Sequence, residues 1–274
     1  MTDDPYAAIA WWYDLEHDAI TEDIECYMSL VETPASGRAD VLEIGSGTGR
    51  IAAALAVAGH QVAGIEPSEA MRERCTRRVA KLPERVARRI RIVDGTATAP
   101  GLGDAERFDV ALVGLNSFAH LTTAEERQEA LATIHAHLRP NGMLLIDLDL
   151  AGPRRLLDTA GQMWWQGTWE SVDEATAGEH AASQTREQVS HFIAGSPGAD
   201  AGTVCATHFY DVHAPGGSVR RTIAPMTLAL LSRGEVALAL RQAGFSIEAV
   251  YGGYDLTPYD DLSPRALFVA RRGE

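Results

Sequence analysis

No two of the three cysteines, Cys26, Cys75 and Cys205, stand at metal-binding spacing, and their number is odd. That argues against a disulfide framework and a structural zinc site, and it predicts reduced, partly buried thiols with no bound metal. No stretch approaches the roughly 18 uninterrupted apolar residues of a membrane-crossing helix, so no membrane partner is expected. The opening Met1-Thr2-Asp3-Asp4-Pro5 lacks a basic flank followed by an apolar run, so a secretory signal is not expected and a cytoplasmic location is. Positive charge is scarce: 24 Lys and Arg stand against 38 Asp and Glu, for a formal net charge of −14. A nucleic-acid binder needs a basic surface, so no nucleic-acid partner is expected. One local exception runs from 72 to 91, with nine basic residues and two acids. Met71, Cys75, Val79 and Leu82 recur there at helical spacing, so the arginines read as a solvated helix face, and no aromatics interleave for base stacking.

What is present is an apolar fraction of 46% over 274 residues, enough for one sizeable core with a smaller appended layer. Ile20, Ile24, Met28 and Val31 form one helical stripe, which Pro34-Ala35-Ser36-Gly37 interrupts. From Asp40 onward, short apolar runs alternate with amphipathic segments. Strands are predicted at 41–44, 61–66, 89–93, 108–115 and 143–150. The helices between them include one bearing Ile51, Leu55 and Ala58, one capped by Ser68, and one opened by the capping-box spacing of Thr123 and Glu126. Such alternation builds a mostly parallel sheet covered on both faces, with its ligand beyond the carboxyl ends of the strands. From 151 to about 202 the periodicity is weak. Residues 203–213 and 218–224 then read as a hairpin around Ala214-Pro215-Gly216-Gly217. A helix opening at Ser232 and ending at Gly244, and strands at 245–251 and 267–270, complete the chain.

The strongest local pattern is Val41-Leu42-Glu43-Ile44-Gly45-Ser46-Gly47-Thr48-Gly49-Arg50. Glycines let the backbone turn sharply and approach a ligand closely. The following helix offers free amides to a carboxylate or phosphate. A dinucleotide fingerprint wants a third glycine or alanine where Arg50 stands. The pattern resembles motif I of class I methyltransferases that use S-adenosyl-L-methionine (SAM). The resemblance implies SAM as cofactor, with the Gly45, Ser46, Gly47 and Gly49 loop against its methionine portion and Glu43 holding the loop and the ammonium group. It continues in register. Gly64-Ile65-Glu66-Pro67-Ser68 resembles the segment whose acid binds both ribose hydroxyls, Met71 the residue flanking the adenine, and Asp94-Gly95-Thr96 the segment that recognises the adenine amine. Leu138-Arg139-Pro140-Asn141-Gly142-Met143 resembles the turn before the fifth strand. The physics agrees: a ribose diol needs one bidentate acceptor, and a cofactor without phosphate needs no cationic cradle.

Leu115-Asn116-Ser117-Phe118-Ala119-His120-Leu121 resembles the Ser-x-x-His-Leu segment of small-molecule and amino-sugar N-methyltransferases. By that resemblance Leu115, Asn116 and Ser117 belong to the cofactor site, and His120 faces the substrate as a proton acceptor or orienting group. The competing reading has His120 cap the helix that starts near Thr123. Tyr13-Asp14 within Trp11-Trp12-Tyr13-Asp14-Leu15 resembles the family's N-terminal element, which closes over SAM with the tyrosine touching it. Further along, Phe209, Asp211 and His213 alternate onto one strand face, with His208 and Tyr210 on the other. For Asp211 and His213 an exposed polar face is expected rather than a metal pair. Trp164, Trp165 and Trp169 either line the substrate cavity or anchor their segment, and Tyr251, Tyr254 and Tyr259 are near enough in sequence to the last strands to reach that cavity. His135 and His137 lie two apart on a helix and form no ligand pair.

The expected fold class is therefore α/β: a Rossmann-like, mostly parallel seven-stranded sheet with helices on both faces, an N-terminal helical lid and an inserted antiparallel hairpin. The expected parts are a lid at 1–37, a SAM-binding core at 38–150, a pocket-shaping insertion at 151–230 and a sheet-completing segment at 231–274. The hairpin's edge offers pairing to a second copy, so a homodimer is one expected assembly. The expected function is methyl transfer from SAM to a nitrogen or oxygen of a small molecule. A dinucleotide-dependent oxidoreductase and a non-catalytic SAM-fold partner are the alternatives. The missing basic surface weighs against macromolecular substrates, and the absence of an Asn-Pro-Pro-Tyr-type motif after the fourth strand weighs against an exocyclic base amine.

Overall fold

The computed structural model describes residues 4–32, 37–172, 186–214 and 217–273. The predicted breaks at Pro34-Ala35-Ser36 and at Pro215-Gly216 lie outside them. Two helices open the chain, α1 (Ala10–His17) and α2 (Glu22–Glu32). The core then runs β1 (Asp40–Ile44), α3 (Arg50–Ala58), β2 (Gln61–Ile65), α4 (Glu69–Ala80), α5 (Glu84–Ala87), β3 (Ile90–Val93), β4 (Phe108–Val113), α6 (Ala124–His137) and β5 (Leu138–Asp149). Next come α7 (Ala151–Asp158) and four long strands: β6 (Met163–Val172), β7 (Arg186–Pro197), β8 (Thr203–His213) and β9 (Val219–Ala229). The chain ends with α8 (Arg233–Gln242), β10 (Phe245–Tyr251) and β11 (Arg265–Arg272).

The seven-stranded sheet has the order β10-β11-β5-β4-β1-β2-β3, with β11 antiparallel to both its neighbours and the other pairs parallel. Alternation along each strand feeds two cores. Leu42, Ile44, Ala111 and Ile146 face α6 and α8, where Leu131, Ile134, Val236 and Leu240 meet them. Val41, Val110, Leu112 and Leu145 face α2 and α3, where Tyr27, Val31, Ile51 and Leu55 meet them. Strand order reverses between β1 and β4. A crevice therefore opens beyond their carboxyl ends, where Gly45 and Leu115 begin the two loops of interest.

Local chemistry sets the boundaries. Thr123 and Ser232 each close a capping box, with Glu126 and Glu235, as their spacing predicts. Ser68 caps α4, accepting from the Met71 amide. The predicted turn before the fifth strand is carried as a bulge: Leu138 stands opposite Phe108 but Met143 opposite Val110, and Asn141 takes a left-handed φ of 60°.

The segment after β5 differs from its prediction. In place of a lone hairpin stands a four-stranded antiparallel sheet, β6-β7-β8-β9. β6 and β7 are hidden in the sequence because a register shift between Trp165 and Gly167 breaks the alternation, and Gly, Gln, Ser and His occupy their partly covered faces. One face of this sheet packs on α1, with Tyr210, Val212 and Met226 against Ile9 and Trp12. Val204 and Ala206 pack on α7 at Leu156.

The basic run from 72 to 91 is not merely a solvated face. Arg74 and Arg78 reach Asp14 at 2.9 and 2.8 Å, and Arg78 reaches Asp18 at 2.7 Å, so α4 clasps α1. A second fastening is buried. Arg50, the first residue of α3, pairs with Asp23 of α2 and donates to the Ile20 carbonyl at 2.8 Å. The Asp23 side chain is 0% exposed. Removing one member of such a pair strands the other without water. Asp23→Ala is therefore expected to lower stability by about 3–5 kcal/mol in urea unfolding, and adding Arg50→Met is expected to restore most of that loss.

Candidate active site

A cavity of about 430 Å³ lies in the crevice between the β1 and β4 loops. Its floor is the glycine loop. Gly45, Gly47 and Gly49 all have positive φ, at 71°, 56° and 76°. At Gly45 a side chain would also come within 2.8 Å of Ser117 Oγ. Gly49 does different work: a Cβ there would overlap the Cys75 sulfur, so this glycine lets α3 pack on α4 and does not line the cavity.

Glu66, just past β2, binds the cavity's parts together. Its Oε2 accepts from the Gly47 amide at 2.8 Å, and its Oε1 accepts from the Ser68 amide at 2.9 Å. Each oxygen keeps a second lone pair for another donor. Burial raises its pKa, against the pull of those two amides. Ser68 in turn donates to Asp4 Oδ2 at 2.7 Å, which draws the N-terminal strand of chain onto the rim. Met71, Gly95, Thr96, Leu115 and Ser117 line the same cavity, as do Pro67 and Tyr13.

Four other predicted cofactor residues stand apart from the lining. Asp94 is exposed and pairs with Arg72 at 2.9 Å, while its neighbours Gly95 and Thr96 face the cavity. Asn116 turns away, accepting from the Asp149 amide at 3.2 Å and tying the end of β4 to that of β5. Leu115 and Asn116 both adopt positive φ, at 46° and 65°, and so hold the β4 loop in a sharp turn. Glu43 and Ser46 lie beneath the loop, 2% and 5% exposed, and Glu43 Oε2 and Ser46 Oγ have no hydrogen-bond partner.

At the mouth the N-terminal segment meets the β4 loop. His120 ends a short 3-10 turn, Ser117–His120, and its Nε2 lies 2.9 Å from the Tyr6 hydroxyl. Burial lowers the pKa of His120, which keeps the imidazole neutral near pH 7. The helix-capping alternative falls away, because Thr123 caps α6. Tyr6 packs edge-on against Tyr13, and Tyr13 stacks on His17 at 4.0 Å. Burial raises the pKa of both tyrosines, so both keep their protons.

Sequence reasoning missed Asp4 and Tyr6. The available signal was a second tyrosine seven residues ahead of Tyr13 on the same segment. Other candidates lie elsewhere. Trp164 and Trp165 are 37% and 64% exposed on β6 and do not reach the cavity. Tyr254, with Tyr27, bonds the buried Asp147, which Arg265 also meets at 3.0 Å, a structural knot behind the sheet ends. Tyr251 packs with the α2-side core, and Tyr259 lies under Arg233. Asp211 is 7% exposed and paired with Arg221 at 2.6 Å, so its strand face is less open than expected. Among the described residues, no group of three or more His, Cys, Asp or Glu is placed to hold a metal ion, and no helix is long and apolar enough to cross a membrane.

Burial pushes the Glu43 carboxyl up to about 8, with Arg50 opposing and Glu66 adding to the rise. The sign follows: the folded, ligand-free protein holds a proton here that the unfolded chain has lost. This contribution is intact below the unfolded carboxyl's pKa near 4.5 and is lost as pH rises towards 8. Thermal unfolding from pH 5 to 8.5 is expected to show the wild type falling relative to Glu43→Gln. Parallel curves would contradict the assignment.

Residues 42–144 match the family described as methyltransferase domain. The uncharacterized methyltransferase OB1106 of Oceanobacillus iheyensis is 35% identical over 138 residues, 48% of this chain and 56% of that protein. The chain thus spans little more than half the length of such curated relatives. Among solved structures, the CcbJ methyltransferase of Streptomyces caelestis matches with a TM-score of 0.72 and 26% identity, covering 93% of this chain and 98% of that one. The sugar N-methyltransferase KedS8 of Streptoalloteichus shares the fold, with a TM-score of 0.69 and 20% identity over 96% of this chain and 93% of that one. Motif order, sheet topology and these likenesses agree: residues 42–144 are similar to a methyltransferase domain on a Rossmann-like sheet.

Proposed function

We propose that the whole chain transfers a methyl group from SAM to a small molecule, with an amine favoured over a hydroxyl as acceptor. The observation that carries this reading is one cavity in which the glycine loop, Glu66 and the neutral Tyr6–His120 pair converge. Its volume suits a ligand of cofactor size. The residues present also fit the group chemically. Glu66 keeps lone pairs for a diol. The orphaned Glu43 and Ser46 oxygens offer polar contact behind the loop. Met71 gives an apolar wall.

When bound, SAM supplies an already activated methyl group, so the protein's part is alignment and exclusion of water. In this reading Tyr6 and Tyr13 close the mouth, and His120 accepts a hydrogen from the acceptor or orients it. The N-terminal helices act as lid, and α7 with the four-stranded sheet shapes the acceptor side. The amine preference rests on relatives: KedS8 is a sugar N-methyltransferase, and CalS10 of Micromonospora echinaspora is an amino pentose methyltransferase.

Calorimetry is expected to show one site for SAM and for S-adenosylhomocysteine. Glu66→Ala is expected to weaken it roughly tenfold to a hundredfold, the worth of one charge-assisted hydrogen bond, with circular dichroism confirming the fold. Radiolabelled SAM should then label amino sugars in preference to their hydroxy analogues. Binding of neither cofactor form would overturn the reading, and labelling of the hydroxy analogues alone would overturn the amine preference.

A further inference from the structure

The small sheet has a second face. Tyr210, Val212 and Met226 turn inward to α1, so the residues alternating with them along β8 and β9 turn outward. Strand register sets one outward residue from each strand side by side: Trp165 of β6, Phe192 of β7, Phe209 of β8 and Ile223 of β9. The row is apolar from one edge of the sheet to the other. Trp165 is 64% exposed and Ile223 55%, with Phe192 and Phe209 half-buried between them. Among the described residues, none of the four belongs to any of the hydrophobic cores. An uncovered apolar band of this kind marks a contact surface.

The rows on either side also suit burial. Met163, Ala194, Thr207 and Pro225 form one, and Thr168, Ser190, Asp211 and Arg221 form the other. The second row satisfies its own polar groups. The Thr168 and Ser190 hydroxyls lie 2.9 Å apart, and Ser190 Oγ lies 3.1 Å from His213 Nε2. Arg221 meets Asp211 at 2.6 Å, with its guanidinium over the Phe209 ring. The charges in the three rows are thus one acid and one base, paired with each other. A partner can cover them without stranding a charge. That neutrality bears on the choice of partner, because a chain of formal net charge −14 repels its own copies unless the meeting faces are neutral.

Neither edge of this sheet suits strand pairing. β9 carries Pro225, which has no N–H to offer, and the exposed Arg220 and Arg221. β6 carries the register shift between Trp165 and Gly167. The face is what remains, and its size is right. With strands about 4.8 Å apart and about 3.4 Å per residue, a four-stranded sheet of this length presents roughly 700 Å². A standard stable interface buries about 800 Å² per partner.

We propose that this face is where two copies of the chain meet, sheet against sheet. A twofold axis in the plane of contact lays each apolar row on the same row of the second copy, so one surface serves as its own complement. The small sheet is then covered on both faces, by α1 within the chain and by the partner outside. Pairing through the hairpin's edge is not needed.

Sedimentation equilibrium of the full chain tests this without any ligand. The wild type is expected at twice the chain mass in the micromolar range. Trp165→Glu and Ile223→Glu each place a charge in the row and are expected to halve that mass while keeping the wild-type circular dichroism. The two lie on opposite edge strands, so misfolding of one variant leaves the other as the test. Val57→Glu, at an equally exposed apolar position on α3, is expected to leave the dimer intact. A wild type that sediments as a monomer would give the face to some other partner and overturn the proposal. A dimer that survives both row variants, or one that Val57→Glu also dissociates, would overturn it as well.

Discussion

One carboxylate holds the site together. Glu66 spans the glycine loop and the start of α4, taking an amide hydrogen from each, and Ser68 passes that fixation on to Asp4. A loop whose glycines sit at positive φ has little conformational preference of its own, so it needs an external brace to keep one shape. In the proposed reading the brace is also the residue that receives the ribose. On that proposal fixing the loop and binding the cofactor are one arrangement, and the N-terminal segment is drawn to the same point through Asp4.

The N-terminal helices add electrostatic fastenings to that brace. Asp14 on α1 and Asp18 just past its end meet Arg74 and Arg78, and Asp23 on α2 meets Arg50. The pair of Arg78 with the exposed Asp18 contributes little, whereas the buried Asp23–Arg50 pair joins α2 to the helix that follows the glycine loop. The arginine that departs from a dinucleotide fingerprint thus has a structural use here.

The core was legible in the sequence because its strands are buried on both faces and its helices carry their own stop signals. The apolar run 41–44, the glycine loop, Glu66 and both capping boxes all fall where the pattern predicts. The small sheet was not legible. Its strands are covered on one face, its alternation is broken at Trp165 and Gly167, and it buries His191, Ser190 and Asp211 among apolar neighbours. Within the site the motif segments were found, but not which atom of each faces inward. Asp94 and Asn116 point away while their neighbours line the cavity, a distinction made by backbone turns that motif spacing does not encode. Tyr6 meets His120 across parts far apart in sequence, and no local pattern announces that contact.

In the proposed reading the site divides into a cofactor half built by the core and an acceptor half built by the N-terminal segment and the Ser117–His120 turn. That division depends on where the reacting sulfur sits. A crystal structure with S-adenosylhomocysteine measures it directly. The account predicts the ribose hydroxyls on Glu66 and the sulfur turned towards Tyr6 and His120. A ligand bound outside this cavity, or one whose sulfur faces away from that pair, would contradict it.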